Sequence, residues 1–113
     1  MSNEILDLSK RARDNKLKID EMKGATITIT NIGSVGGTYA TPIINHPEVC
    51  ILGMYKISDK LFLKPDGTVG STKVMNFTIT ADHRLIDGAV AANSLKSFIS
   101  KIQHPGMLMM EMA

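Results

Sequence analysis

From position 74 to 81 the side chains alternate without a break. Val74, Asn76, Thr78 and Thr80 fall on one side, and Met75, Phe77, Ile79 and Ala81 on the other. A period of two is the repeat of an extended strand, and the second set is wholly apolar, so one face of this strand must be covered. The strand delivers Asp82-His83-Arg84-Leu85-Ile86-Asp87-Gly88. Beyond it Val90, Ala91, Leu95, Phe98, Ile99 and Ile102 recur at helical spacing, with Asp87 placed to cap the helix start. The helix is expected to pack on the sheet, and the turn between the two elements carries a histidine with a carboxylate on either side.

The remaining segments supply more strands and turns. Residues 25–30 alternate Ala25-Thr26-Ile27-Thr28-Ile29-Thr30, a strand with one apolar and one hydroxylated face. Gly33, Gly36 and Gly37 punctuate a loop over 31–40, where the backbone can approach a ligand or a neighbouring chain. Thr41-Pro42-Ile43-Ile44-Asn45-His46-Pro47 reads as extended and turn-rich. Residues 49–57 are apolar and β-prone, and Leu61-Phe62-Leu63 forms a second run before the turn Pro65-Asp66-Gly67-Thr68, which predicts a hairpin. Near the N-terminus, Ile5, Leu6, Leu8 and Ala12 predict a surface helix over 4–15, followed by a short turn or helical piece over 18–23. His104-Pro105-Gly106 stops the later helix and leaves a methionine-rich tail, 107–113, that needs a surface to bury against.

Composition narrows the class. The 113 residues make one domain's worth of chain, with 43% hydrophobic and 21% charged residues, which excludes disorder. A net charge of +2 with scattered Lys and Arg argues against nucleic acid or an anionic membrane as partner. Cys50, the single cysteine, lies in Val49-Cys50-Ile51-Leu52 and reads as a buried, unreactive thiol. No apolar run reaches membrane-spanning length, and Met1-Ser2-Asn3-Glu4 does not open like a signal peptide, so a cytoplasmic location is expected.

As residue types alone, the segment 82–88 carries a weak signal. A free imidazole titrates near pH 6.5, a range well matched to taking a proton from a thiol, so the residue type at His83 suits a base, and Asp87 could orient the ring or pair with an arginine. Most loop histidines, however, are solvated or structural. His46 and His104, each before a proline, read as surface or capping groups. A metal site on Asp82, His83 and Asp87 lacks a further ligand, and the glycines after Asn31 lack the ending of a phosphate-binding loop.

The heptapeptide 82–88 resembles the His-x-x-x-Asp-Gly signature of dihydrolipoyl acyltransferase catalytic domains and of chloramphenicol acetyltransferase. Four more segments are similar to the dihydrolipoyl acyltransferases in order and spacing. They are Gly24-Ala25-Thr26-Ile27-Thr28-Ile29-Thr30-Asn31-Ile32-Gly33 with Gly36-Gly37, then Thr41-Pro42-Ile43-Ile44-Asn45, Pro47-Glu48-Val49 and Ile51-Leu52-Gly53. The resemblance covers nearly the whole chain.

It implies an α+β fold, a chloramphenicol acetyltransferase-like two-layer sandwich with a mixed sheet and helices on one face, of which only the C-terminal half is present. It further implies acyl transfer between dihydrolipoyl-lysine and coenzyme A in a 2-oxo acid dehydrogenase complex. His83 matches the general base on the coenzyme A thiol, and Asp87 the aspartate that supports it. Thr30 falls where the family usually has a serine that donates to the oxyanion, so the hydroxyl is kept with an added methyl group.

Coenzyme A then enters as substrate, the lipoyl group rides on a separate domain, and no metal is expected. The expected partners are further copies in trimers joined into a cubic or dodecahedral core, with base and oxyanion donor supplied by different chains. The lipoyl domain follows, and the decarboxylase and dihydrolipoamide dehydrogenase components would be reached through the full-length protein. The glycine loop would face a neighbouring chain, and the methionine tail would bury either in an adjacent trimer or within its own subunit.

The resemblance implies that residues 1–113 are about half of such a catalytic domain, without its lipoyl and peripheral-subunit-binding domains. An uncovered apolar sheet surface is expected. A second class of function stays open, that of a truncated, non-catalytic module which only assembles.

Overall fold

The computed structural model describes residues 1–112. In chain order it contains α1 (Ser2–Arg13), a 3-10 turn (Ile19–Met22), β1 (Thr28–Asn31), a second 3-10 turn (Gly33–Val35), β2 (Cys50–Leu63), β3 (Val69–Ala81), α2 (Gly88–Gln103) and α3 (Pro105–Met112). The sheet order is β1-β2-β3, with β1 parallel to β2 and β2 antiparallel to β3. This is the expected α+β architecture with a mixed sheet.

The hairpin forms about the predicted turn. Asp66 Oδ1 accepts from the backbone N–H and the hydroxyl of Thr68, and Gly67 takes a left-handed φ of 82° that a side chain would resist. The two runs read over 49–57 and 61–63 fall, apart from Val49, in one 14-residue strand, bent by an irregularity between Met54 and Ile57. A bulge keeps such a strand continuous, because the polar residues between the runs continue the ladder with β3.

β1 is shorter than the predicted 25–30 strand, starting only at Thr28, which lies opposite Ile51. Its faces also divide differently from the simple amphipathic expectation. Thr28 and Thr30 are half-buried, whereas Ile29 is 62% exposed. The register puts Ile29 in a row with Leu52 and Ile79, on the side where α2 lies, but α2 packs over β3 and leaves the β1 edge bare.

α2 sits on the odd-numbered face of β3, as the periodicity predicts, with Phe77 and Phe98 packed edge to face at 5.3 Å. On the other face, segment 32–49 crosses the sheet. Tyr55, 1% exposed, donates its hydroxyl to the Ala40 carbonyl at 2.7 Å and shares a 2.6 Å hydrogen bond with Thr78 Oγ1. A Cβ on Gly33 would stand 2.8 Å from the Tyr55 carbonyl oxygen, so this glycine is required by packing within its own chain. Cys50 is buried as expected, and burial pushes its thiol pKa up.

The buried apolar core is small, consisting of Cys50, Ile51, Leu52 and Tyr55. The radius of gyration is 17.4 Å, against about 13 Å for a compact chain of this length. The accessible surface is 9094 Å², against roughly 6,100 Å² for a folded monomer of this size. Much of the excess is apolar, including Ile57, Leu61, Leu63 and Val69 of the hairpin arm. The methionine tail forms α3 and leaves Met107, Met109, Met110 and Met112 exposed. Ala113 lies outside the described residues.

Candidate active site

The strand that carries His83 is held almost to the histidine itself. β3 ends with Ala81 opposite Cys50, and the Asp82 N–H donates to the Val49 carbonyl at 2.8 Å. The chain then turns, with the Leu85 and Ile86 N–H groups both donating to the Asp82 carbonyl at 3.0 Å. Asp82 closes the turn a second way. Its carboxylate accepts from the Arg84 backbone N–H at 3.0 Å, from Nε at 3.0 and 3.1 Å and from Nη2 at 2.6 Å.

The Asp82 side chain is 19% exposed and that of Arg84 84%. The guanidinium holds the Asp82 carboxyl down to about 2, so it is ionised at any ordinary pH. Asp82 therefore serves the turn and Arg84, not the imidazole. His83, between the two partners, is exposed. Its Nε2 lies 4.0 Å from where a Cβ on Gly88 would be, which places the ring beside the start of α2.

Asp87 is the N-cap of α2, with Oδ1 accepting from the Val90 N–H at 2.9 Å. The predicted cap is present. Among the described residues no hydrogen bond joins Asp87 to His83, so in a single chain its orienting role has no direct contact behind it. His104, read as a capping group, ends α2 with Nδ1 3.1 Å from the Ser100 carbonyl. His46 is exposed.

Thr30 lies on the opposite edge strand of the sheet. It faces Gly53, which in turn faces Thr78, and five residues separate Thr78 from His83. At 3.3 Å per residue and 4.8 Å per strand spacing, Thr30 and His83 are roughly 15–20 Å apart in one chain. A base and an oxyanion donor that act on one thioester must each reach it by a hydrogen bond of about 3 Å. One chain alone does not bring them together.

Two polar groupings escaped the sequence reading. Tyr55 and Thr78 are joined over Gly53, where a Cβ would stand 2.6 Å from both Tyr55 Oη and Thr78 Oγ1. A glycine inside a strand is the signal that could have exposed this close approach. Glu48, 6% exposed, accepts through Oε2 from Asn45 Nδ2 at 2.7 Å and from Thr28 Oγ1 at 3.3 Å. It ties the 45–48 turn to β1, one residue before the carbonyl that pins Asp82. Nothing in its local sequence distinguished it from a surface glutamate.

A mixed sheet backed by a helix, with an exposed histidine at the junction between strand and helix, defines the chloramphenicol acetyltransferase-like class of fold. The chain belongs to the family of 2-oxoacid dehydrogenase acyltransferase catalytic domains, whose model matches residues 1–110. It is 48% identical over 111 residues to the dihydrolipoyllysine-residue acetyltransferase component of the pyruvate dehydrogenase complex of Staphylococcus aureus. That match takes in 98% of this chain and 26% of the relative.

Among solved structures it is similar to Azotobacter vinelandii dihydrolipoamide acetyltransferase, with a TM-score of 0.85 and 36% identity over 95% of this chain and 44% of that one. It is also similar to the truncated catalytic core of the 2-oxoacid dehydrogenase multienzyme complex of Thermoplasma acidophilum, with a TM-score of 0.75 and 43% identity over 92% of this chain and 44% of that one. The chain thus spans about a quarter of the length of the curated relatives it matches. Among the described residues no helix is long and apolar enough to cross a membrane.

Proposed function

We propose that this chain is part of a catalytic domain that moves an acyl group between dihydrolipoyl-lysine and coenzyme A. The observation that carries the reading is His83, exposed on a turn that Asp82 and Arg84 hold rigid, with Asp87 four residues on. The Azotobacter vinelandii acetyltransferase was studied for the roles of a serine, a histidine and an asparagine in catalysis, and its histidine and asparagine are likewise four positions apart. Its serine precedes the histidine by 52 positions, close to the 53 between Thr30 and His83.

In this reading the His83 imidazole takes the proton from the coenzyme A thiol, and the thiolate attacks the acyl-dihydrolipoyl carbonyl. The Thr30 hydroxyl donates to the oxyanion that forms. Collapse breaks the bond to the dihydrolipoyl sulfur, which recovers the proton from the imidazolium. Asp87 keeps His83 and α2 in register and adds negative charge near the imidazolium. The wide separation of Thr30 and His83 in one chain supports a site completed by a second copy, hence a trimer or a larger cubic or dodecahedral core. The lipoyl domain and the other components of the complex would be the functional partners, in the cytoplasm.

The same separation, with the large open surface, favours a second reading for the chain by itself, that of a non-catalytic assembly fragment. Transfer of acetyl between dihydrolipoamide and coenzyme A, measured on this chain and on the chain extended to a whole catalytic domain, separates the two. In the extended protein His83→Ala is expected to lower kcat by about 10²–10⁴-fold. An unchanged kcat ends the assignment of His83 as base.

A further inference from the structure

β1 is an edge strand of four residues, and its register decides which way Thr30 points. A slip of one residue exchanges the two faces of a strand. Burial of an apolar face usually settles that choice, but Ile29, the one apolar side chain of β1, is 62% exposed in this chain. Thr28 and Thr30, on the other face, are half-buried. A polar contact on the threonine side is what distinguishes the observed register from a slipped one.

Glu48 supplies that contact. It is 6% exposed, and its Oε2 accepts from Thr28 Oγ1 at 3.3 Å and from Asn45 Nδ2 at 2.7 Å. The residue is itself well anchored. Its N–H donates to the Asn45 carbonyl at 3.0 Å, the next carbonyl, that of Val49, accepts from the Asp82 N–H at 2.8 Å, and Cys50 then pairs with Ala81. The carboxyl is thus fixed to the two long strands and grips the first residue of the short one. Among the described residues no other side chain from 22 to 28 makes a hydrogen bond, so this is the side-chain tie at that end of β1.

With Thr28 held, Thr30 stays on the same face about 7 Å further on, in the row of Gly53 and Thr78. A slip by one residue would take Thr28 away from Glu48 and leave a buried carboxyl one donor short. It would also turn the Thr30 hydroxyl to the bare side where Ile29 now lies.

We propose that Glu48 is a positioning residue for acyl transfer, which pins β1 in register and so sets the face on which Thr30 presents its hydroxyl. The proposal rests on the reading of Thr30 as oxyanion donor, whereas the pin is a property of this chain and is measured apart from catalysis.

Three variants test it. Glu48→Met keeps the length of the side chain without its oxygens, Glu48→Gln keeps one oxygen, and Thr28→Val removes the donor from the other side. In this chain, backbone hydrogen exchange over residues 28–31 should quicken about fivefold to tenfold in Glu48→Met and Thr28→Val, and change little in Glu48→Gln. The hairpin over 57–75 should be unaffected in all three. Thr28→Val, at a half-buried edge position, carries the same test if Glu48→Met does not fold.

In the chain extended to a whole catalytic domain, Glu48→Met should lower kcat for acetyl transfer by about tenfold to 100-fold, with little change in KM for coenzyme A, because the donor is displaced. Glu48→Gln should recover most of that loss. Once Thr30→Val has removed the donor, Glu48→Met should cost little more, since both act through one hydroxyl. Parent-like exchange over 28–31 in Glu48→Met and Thr28→Val, a glutamine variant as impaired as the methionine one, or losses from Glu48→Met and Thr30→Val that simply multiply would each overturn the proposal. Parent-like kcat in Thr30→Val, with exchange responding as expected, would support the pin and overturn the reading of Thr30 as donor.

Discussion

The backbone of Gly53 passes so close to Tyr55 that a Cβ at position 53 would stand 2.6 Å from the Tyr55 hydroxyl oxygen. That approach lets the hydroxyl reach Thr78 and the Ala40 carbonyl together, joining β2, β3 and the crossing segment. Gly53→Ala must push the ring aside, and is expected to cost about 1–3 kcal/mol. Tyr55→Phe, which removes the hydroxyl but keeps the ring, should cost about 1–2 kcal/mol. Urea denaturation of the two variants and their combination checks this. Full additivity would show that the glycine and the hydroxyl act independently.

The Asp82 carboxyl stands at about 2, below its ordinary 3.8, because Arg84 grips the ionised form. A depressed folded value contributes stability above the unfolded value and loses it as pH falls through the folded one. The turn that presents His83 should therefore be constant from pH 5 to 8 and should loosen between about pH 4 and 2. The Arg84 Nε resonance and the His83 amide, followed by NMR, should move together in that window. An Arg84 signal that titrates with the bulk carboxylates instead would contradict it.

Asp87 combines a structural task with a proposed electrostatic one, and two substitutions separate them. Asp87→Ala removes the cap on α2 and is expected to cost about 1 kcal/mol. Asp87→Ser keeps a capping oxygen without the charge, so stability should stay close to that of the parent. In the extended, active protein the serine variant should still lose kcat with little change in KM. Parent-like kcat for Asp87→Ser would reduce the residue to a cap.

Thr30 is argued only from its hydroxyl. In the same protein Thr30→Ser should retain most activity, whereas Thr30→Val, which has nearly the same shape, should lower kcat by about 10²–10³-fold. Equal losses in both would point to packing against the strand, not to donation.

Several features of the fold were legible along the chain because they depend on neighbours in sequence. The Pro65-Asp66-Gly67-Thr68 turn, the Asp87 cap and the apolar periodicity of α2 each use residues within about one helical turn of one another. The length of β2 and the late start of β1 were not legible, since a strand exists only where a partner strand pairs with it. Glu48 was missed for a similar reason. Its carboxylate is satisfied partly by Thr28, 20 residues earlier, and no local pattern marks such a contact.

By itself, the sequence determined the order of elements, the turn that carries His83 and the family in which to seek its chemistry, because each is written in short-range spacing or matched motifs. Only the tertiary structure decided that Asp82 serves Arg84, that Gly33 packs against Tyr55 of the same chain, and that Thr30 and His83 belong to opposite edges of one sheet. The physical reason is the register. Pairing across strands fixes which distant residues share a row and which side they face, and a linear pattern leaves that choice open.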